Sequence, residues 1–540
     1  MRPILLALGV SAAGIAGAQA PQTPPPPPEC QRIGEVHIVR TDVFDTRIPQ
    51  EDRALFRLAN TLHLDTREST VKQLLLVKPG DPYEPRLLRE SERLMRATGY
   101  LHDATIRVLG CADGNADLEV AVQDVWTLKP SLSLGRKGGA NSSAFGIEES
   151  NLFGLGTQLG LDFRSGVDRS SRMLSYHDPL LGGRRLDLTA SYADNSDGTQ
   201  TRLGLDRPFY SLDTPWAAGV SSRRETRIDS VYELGQVVGQ YQVSERHATA
   251  YAGRSSGWRD GWVTRWTAGW TQDEHLARPT SAPGIPAAGV SADRRLNRPW
   301  VGVEWLQDDF RETRNFDQIG KTEDLALGWQ MSLQLGLARQ AFGADRNATV
   351  FSFKVNKGWQ PARAHTLLVE GSAEGRYESQ SLAGTLFSGS VRYHLRQSDR
   401  RSFFVGLSAD RSVHPDPDQQ VLIGGDSGLR GYPMRYQSGK GRWLATAEQR
   451  WFTDWYPWRV FNVGGAVFYD MGRTWDQTAT TSTAGTPPRL GLLRDWGFGL
   501  RLGNSRSAIG SVVHIDFAFP LDGDPSIKKV QFLVEAKRSF

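Results

Sequence analysis

The sequence predicts a transmembrane antiparallel β-barrel of about 16 strands preceded by one small α/β domain, and three observations predict it. The first is composition: among 540 residues there are 56 Gly, 16 Trp, 14 Tyr and 22 Phe, yet the mean hydropathy is only −0.43. A membrane barrel has this profile because only alternate strand residues face lipid, while aromatic girdles mark both interfaces. The second is that no apolar run beyond the N-terminal leader approaches the roughly 20 residues a spanning helix needs. The third is alternation in short segments over 129–540. Phe351, Phe353 and Val355 alternate with Ser352 and Lys354, and Phe387, Gly389, Val391, Tyr393 and Leu395 alternate with Ser388, Ser390, Arg392, His394 and Arg396. A soluble sandwich alternates too, but it must bury its apolar face against a second sheet.

Taken in order, residues 1–20 read as a signal peptide. Arg2 supplies the basic start, Ile4 to Ala16 the apolar core, and Ala18-Gln19-Ala20 a small-x-small cleavage site. Residues 21–30 are a proline-rich linker, extended because Pro24 to Pro28 cannot form a helix. Residues 31–128 read as the small α/β unit. Ile33 to Val39 alternates as a strand, and Thr66 can cap a helix carrying Val71, Leu74 and Leu75. Asp81-Pro82-Tyr83-Glu84 has the cap, first-turn proline and third-position Glu of a second helix, with Leu87, Leu88, Ser91, Leu94 and Met95 on one stripe. Strands over 105–109 and 118–125, joined by Asp113-Gly114-Asn115, close the unit.

The balance of 64 basic and 60 acidic side chains leaves no concentrated basic surface, which argues against nucleic-acid binding. The two cysteines, Cys30 and Cys111, both fall in the exported part of the chain, where oxidation is expected. A disulfide is the leading reading and two unrelated thiols the alternative; as metal ligands the pair is too few. No cofactor is expected.

The phrases Lys78-Pro79-Gly80-Asp81-Pro82-Tyr83 and Gly99-Tyr100-Leu101, in a β-α-α-β-β order, resemble a POTRA domain, the periplasmic module of outer-membrane assembly and secretion pores. The resemblance implies parallel first and third strands, which would put Cys30 near the turn holding Cys111. It also implies an exposed sheet edge able to pair with an extended peptide. Gly424-Gly425-Asp426-Ser427-Gly428-Leu429-Arg430-Gly431-Tyr432 resembles the (V/L)-R-G-(F/Y) signature of the superfamily holding BamA, TamA and the two-partner secretion transporters. In that family the tip folds back into the barrel, making Arg430 a buried cation that needs partners. Asp470 and Gly472 lie in Phe468-Tyr469-Asp470-Met471-Gly472, which matches the family's F-x-D-x-G strand. By that match Asp470, and with it Glu448, accept hydrogen bonds from Arg430.

Asn151-Leu152-Phe153-Gly154 and Asp178-Pro179-Leu180-Leu181 resemble early-barrel patterns of the same family. Val530, Phe532, Val534, Ala536, Arg538 and Phe540 form one face of a final strand, and a terminal aromatic such as Phe540 is the assembly signal of such barrels. Gly425-Asp426-Ser427-Gly428 mimics a hydrolase nucleophile segment, but none of the 10 histidines sits in a companion motif, so no enzyme is expected. The resemblance implies a bacterial outer-membrane protein, its small domain periplasmic, that inserts or translocates unfolded outer-membrane or secreted polypeptides. Its other implied partners are outer-membrane lipids and periplasmic chaperones or accessory lipoproteins. Alternatives are a dedicated pore for one exported protein and a passive porin.

Overall fold

The computed structural model describes residues 30–280, 293–476, 491–504, 512–523, 525 and 527–537. The leader, the linker up to residue 29 and the terminal Phe540 lie outside the described residues. The small unit runs β1 (Arg32–Thr41), α1 (Ala54–Leu62), α2 (Glu68–Leu74), α3 (Pro85–Ala97), β2 (Leu101–Ala112) and β3 (Asn115–Asp124). Its sheet has the order β1-β3-β2, with β1 parallel and β2 antiparallel to β3. The central strand alternates strictly, burying Ala116, Leu118, Val120 and Val122 under α2 and α3. That period of two is what a strand covered on one face requires.

Three details differ from the sequence reading. There are three helices rather than two. The additional α1 buries Phe56 against Phe44, ring centroids 4.3 Å apart, but leaves Leu55 and Leu58 exposed, so no single apolar stripe announces it. Thr66 does not cap α2: its backbone N–H and its hydroxyl both donate to Asp124, at 2.9 and 2.7 Å. α3 begins at Pro85, not Pro82, because Asp81 accepts from the Lys78 N–H at 3.0 Å and closes a turn, while Pro82 bridges to Arg32.

Beyond Leu128 the described residues form one closed antiparallel barrel of 20 strands, counting Arg294–Arg295 and Arg298–Gln307, which share a neighbour, as one interrupted strand. The expectation of about 16 is thereby corrected. It allowed for long outer loops, whereas many connections are two-residue turns, among them Leu234-Gly235, Asp260-Gly261 and Ser379-Gln380 with positive φ. Such turns match the twist of paired strands and release chain for more of them. Among the described residues no helix is long and apolar enough to cross a membrane. Alternate residues face outward or inward: Phe145, Phe163, Trp266, Phe498 and Phe517 are exposed on the outer wall, while His514, Asp516 and Arg501 are buried inside.

An even strand number returns the chain to the rim that carries the small unit, the proximal rim. The first strand, β4 (Leu128–Lys137), meets the last, Gln531–Lys537, through one registered pair among the described residues, Val534 opposite Arg136. By contrast, the neighbouring pair Val512–Pro520 and Gln531–Lys537 is registered from Val512↔Lys537 to Ala518↔Gln531.

Candidate functional site

The site is the long distal connection between the barrel strands Arg401–Val413 and Gly441–Phe452, which turns back into the lumen. A short ribbon, Val421–Ile423 paired with Gln437–Gly439, carries the tip inward. Ile423, Leu429, Tyr432 and Tyr436 then bury themselves with Leu493. Ser427 and Asp426 shape the turn: the Ser427 hydroxyl accepts from the Gly424 N–H at 2.8 Å, and Asp426 accepts from the Arg435 N–H at 3.1 Å. Gly428 adopts φ +112°, a region open to glycine, and a Cβ there would lie 2.5 Å from Leu444. Gly431 is needed for close approach, since a Cβ on it would stand 2.6 Å from the Cβ of Asp495.

Arg430 lies at the centre. Its Nε and Nη2 donate to the two oxygens of Asp470 at 2.7 and 2.9 Å, and its Nη1 donates to Glu448 at 3.4 Å. The guanidinium carbon sits 3.3 Å from the centroid of the Phe468 ring. Both partners named from sequence are therefore brought to it. Sequence reasoning missed Asp516, 3.7 Å from Arg430 Nη1, and Arg501, which pairs with Asp516 and, at 3.5 Å, with Glu448. Arg450 lies 3.5 Å from Glu448. The available signal was period two, because Arg501 and Asp516 occupy the polar, inward positions of their strands. All these groups are buried. A buried guanidinium is tolerated only when carboxylates satisfy it, and a two-pronged pair also fixes its orientation. Gly472 backs the tip: a Cβ there would lie 2.8 Å from Ile423.

The loop also bridges the two ends of the barrel. On the late strands the Tyr432 hydroxyl donates to the Arg494 carbonyl at 2.7 Å. On the early strands Gly138, in the turn after β4, leaves no room for a side chain, since a Cβ would lie 2.3 Å from the Met434 nitrogen. Arg435 reaches further round, donating to both oxygens of Asp168 at 2.7 Å and lying 4.2 Å over the Tyr232 ring. The thin first-to-last seam is thus crossed from inside.

The early-barrel motifs act elsewhere. Asn151 donates to the Thr66 hydroxyl at 2.8 Å, the Gly154 carbonyl accepts from Thr70 at 2.8 Å, and Leu180 enters the core of the small unit. They dock that unit on the proximal rim. Cys30 and Cys111 are joined as a disulfide, with Cα atoms 5.6 Å apart. His63, Asp65 and Asp124 are grouped closely enough to ligate a metal, but Asp124 already takes the hydrogen bonds of Thr66 and lies 3.3 Å from His63, which ties β3 to the segment before α2.

The chain is similar to several solved structures. Over 93% of this chain and 84% of the other, it resembles BamA from Haemophilus ducreyi lacking POTRA domains 1–3, at 13% identity and a TM-score of 0.38. CdiB from Acinetobacter baumannii matches at 14% identity over 94% of this chain and 74% of that one, TM-score 0.46. CdiB from Escherichia coli matches at 13% over 93% and 76%, TM-score 0.48. Among curated proteins none matches significantly. Residues 151–534 match the Omp85 superfamily domain, a span that contains the inserted loop, its arginine and every carboxylate that holds it. This outer-membrane β-barrel protein belongs to the Omp85 superfamily.

Proposed function

We propose that the protein inserts client polypeptides into the outer membrane or translocates them across it, with the small unit as a POTRA-like domain in the periplasm. The observation that carries this reading is the seam. Among the described residues a single registered pair joins the first and last strands, and the Arg430 loop spans that weak point from inside. Strand edges left underpaired at a seam are a template on which an incoming strand can pair, and closing those edges while burying apolar faces supplies the driving force without a catalytic group. The small sheet, with β1 and β2 at its edges, supplies a first docking place for an extended client segment. Clients are unfolded outer-membrane or secreted polypeptides. Lipids at the seam and periplasmic chaperones or accessory lipoproteins complete the partner set. Arg430 with Glu448 and Asp470 holds the loop that props the seam, and Phe540 is the chain's own assembly signal.

Depleting the protein and comparing the outer-membrane and secreted proteomes tests this. Broad loss of barrels indicates insertion, and loss of one exported protein indicates a dedicated secretion pore. Unchanged proteomes would overturn both. A passive porin is disfavoured by a lumen that holds inserted chain.

A further inference from the structure

We propose that the hairpin formed by Phe310–Arg314 and Thr322–Ala326 is a plug across the proximal mouth of the lumen, latched by Arg96, and that its latch occupies the sheet edge an incoming peptide would take. The peptide part rests on the function proposed above; the plug itself does not.

The hairpin replaces a short turn. It is rooted between the barrel strands Arg298–Gln307 and Gln330–Ala338, and its strands pair from Phe310↔Ala326 to Arg314↔Thr322. Its tip is built, not loose: Glu323 accepts from the N–H groups of Phe316, Asp317 and Gln318 at 3.0, 3.0 and 3.2 Å, and Asn315 accepts from that of Gly320 at 2.8 Å. The tip reaches the inner wall several strands further round. The Phe316 ring stacks 3.9 Å from His394, and Ile319 is buried among Phe452, Ala466 and Val512. Asn462 donates to the Ile319 carbonyl at 3.3 Å. Root and tip therefore lie on separate parts of the wall, with Phe316 and Leu325 packed on Leu368 between them, so the hairpin overlies the rim of the mouth across several strands. Asp317 lies 3.5 Å from Arg392 and acts electrostatically on Arg450, the neighbour of Glu448. A line of charges on the wall thus joins the hairpin to the Arg430 loop.

The hold on the hairpin comes from α3. Arg96 donates to both oxygens of Asp324, at 2.8 and 2.6 Å, and to Glu312 at 3.0 Å, so one guanidinium grips both hairpin strands. Arg93 lies 4.2 Å over the Phe310 ring and 3.4 Å from Asp308. Arg86, two turns earlier, pairs with Asp213 and lies 4.8 Å over Trp258, fixing the helix to neighbouring proximal turns. The same α3 side chains also cover β2. Arg96 Nη1 donates to the Ala104 carbonyl at 3.0 Å, and Glu92 accepts from the Ile106 N–H at 2.6 Å. These are backbone groups of an edge strand, the kind an added strand pairs with. A peptide pairing there displaces Arg96 from β2, and Arg96 is also the grip on the hairpin. Edge occupation and plug release are then one exchange.

The test is conductance of the full-length protein in planar bilayers. Replacing residues 310–326 by Asn-Gly, and separately Arg96→Glu, should raise the current several-fold. Arg96→Glu combined with Glu312→Arg and Asp324→Arg should return it to the wild-type level. Heat-modifiable mobility shows that each variant is an assembled barrel. Unchanged current after hairpin removal, or no rescue by the reversed charges, overturns the plug. A synthetic peptide of this chain's residues 530–540, added on the small-domain side, should raise the wild-type current but have no further effect on Arg96→Glu. A peptide without effect on the wild type, beside variants that open, overturns release at the edge while upholding the plug.

Discussion

Two segments enter the lumen from opposite rims, and they are held differently. The distal loop is held by the barrel wall itself: Arg430 is buried against Asp470, Glu448 and Asp516, all within the strands. The proximal hairpin takes its tip contacts from the wall, a ring stack, two apolar clusters, a hydrogen bond from Asn462 and the Asp317–Arg392 pair, but the charged grip on its two strands comes from a helix of another unit. Buried charge pairs inside one rigid wall are lost only with a large penalty, because the remaining charges stay buried. A grip shared between units is lost whenever those units move apart. The contrast is between a fixed strut and a detachable one.

The largest expected effect is at the strut. Arg430→Ala strands Asp470 and Glu448 without their cation and should cost about 3–5 kcal/mol. It should also abolish complementation while barrel still inserts, as read by thermal melting in detergent and by outer-membrane abundance. Full activity at normal abundance would remove the strut from the mechanism. Next comes the platform of the detachable element. Replacing Cys30 and Cys111 by Ser should destabilise the small unit by about 2–5 kcal/mol. Hydrogen exchange should then rise in α3 and β2 and stay unchanged in the barrel strands around Arg430; equal loosening of both would erase the contrast. Gly431→Ala should cost about 1–3 kcal/mol, because its Cβ would meet Asp495 and the adjoining strand at Pro520. A melting temperature equal to wild type would mean that the loop has slack at its tip.

The smallest effect is a pH dependence confined to the grip. Burial pushes the Glu92 carboxyl up to about 7, outweighing the Ile106 N–H and the nearby Arg96, while Glu312 and Asp324 push in the same upward direction. A carboxyl raised in the folded state binds more protons than in the unfolded chain. Its contribution is therefore fully present below about pH 4.5 and is lost as pH rises through about 7. Stability of the α3–β2 region should fall over that window, and Glu92→Gln should flatten the fall. An identical pH slope in the variant would assign the dependence to another group.

Much of the fold was legible in the sequence. Alternation announced the strands because a wall between lipid and a lumen imposes a period of two, and that face assignment holds at Phe353 and Phe387 outside and at His394 inside. Glu448 and Asp470 were legible through a motif and a period, whereas Arg501, Asp516 and Asp495 needed the barrel to close around them. Strand number was not legible, because two-residue turns and long loops use chain so differently. α1 was not, because its apolar residues serve more than one neighbour.

The sequence by itself determined that alternating strands would line a polar interior, that a glycine-flanked arginine would need carboxylates, and that a small α/β unit would precede the barrel. These follow from local periodicity and from the cost of burying a charge. Only the tertiary structure decided which strands supply the carboxylates, that the loop crosses the seam, and that Phe310–Ala326 folds against the inner wall at the opposite rim in the grip of Arg96. Those are contacts between residues far apart in the chain, and closure of the barrel sets them.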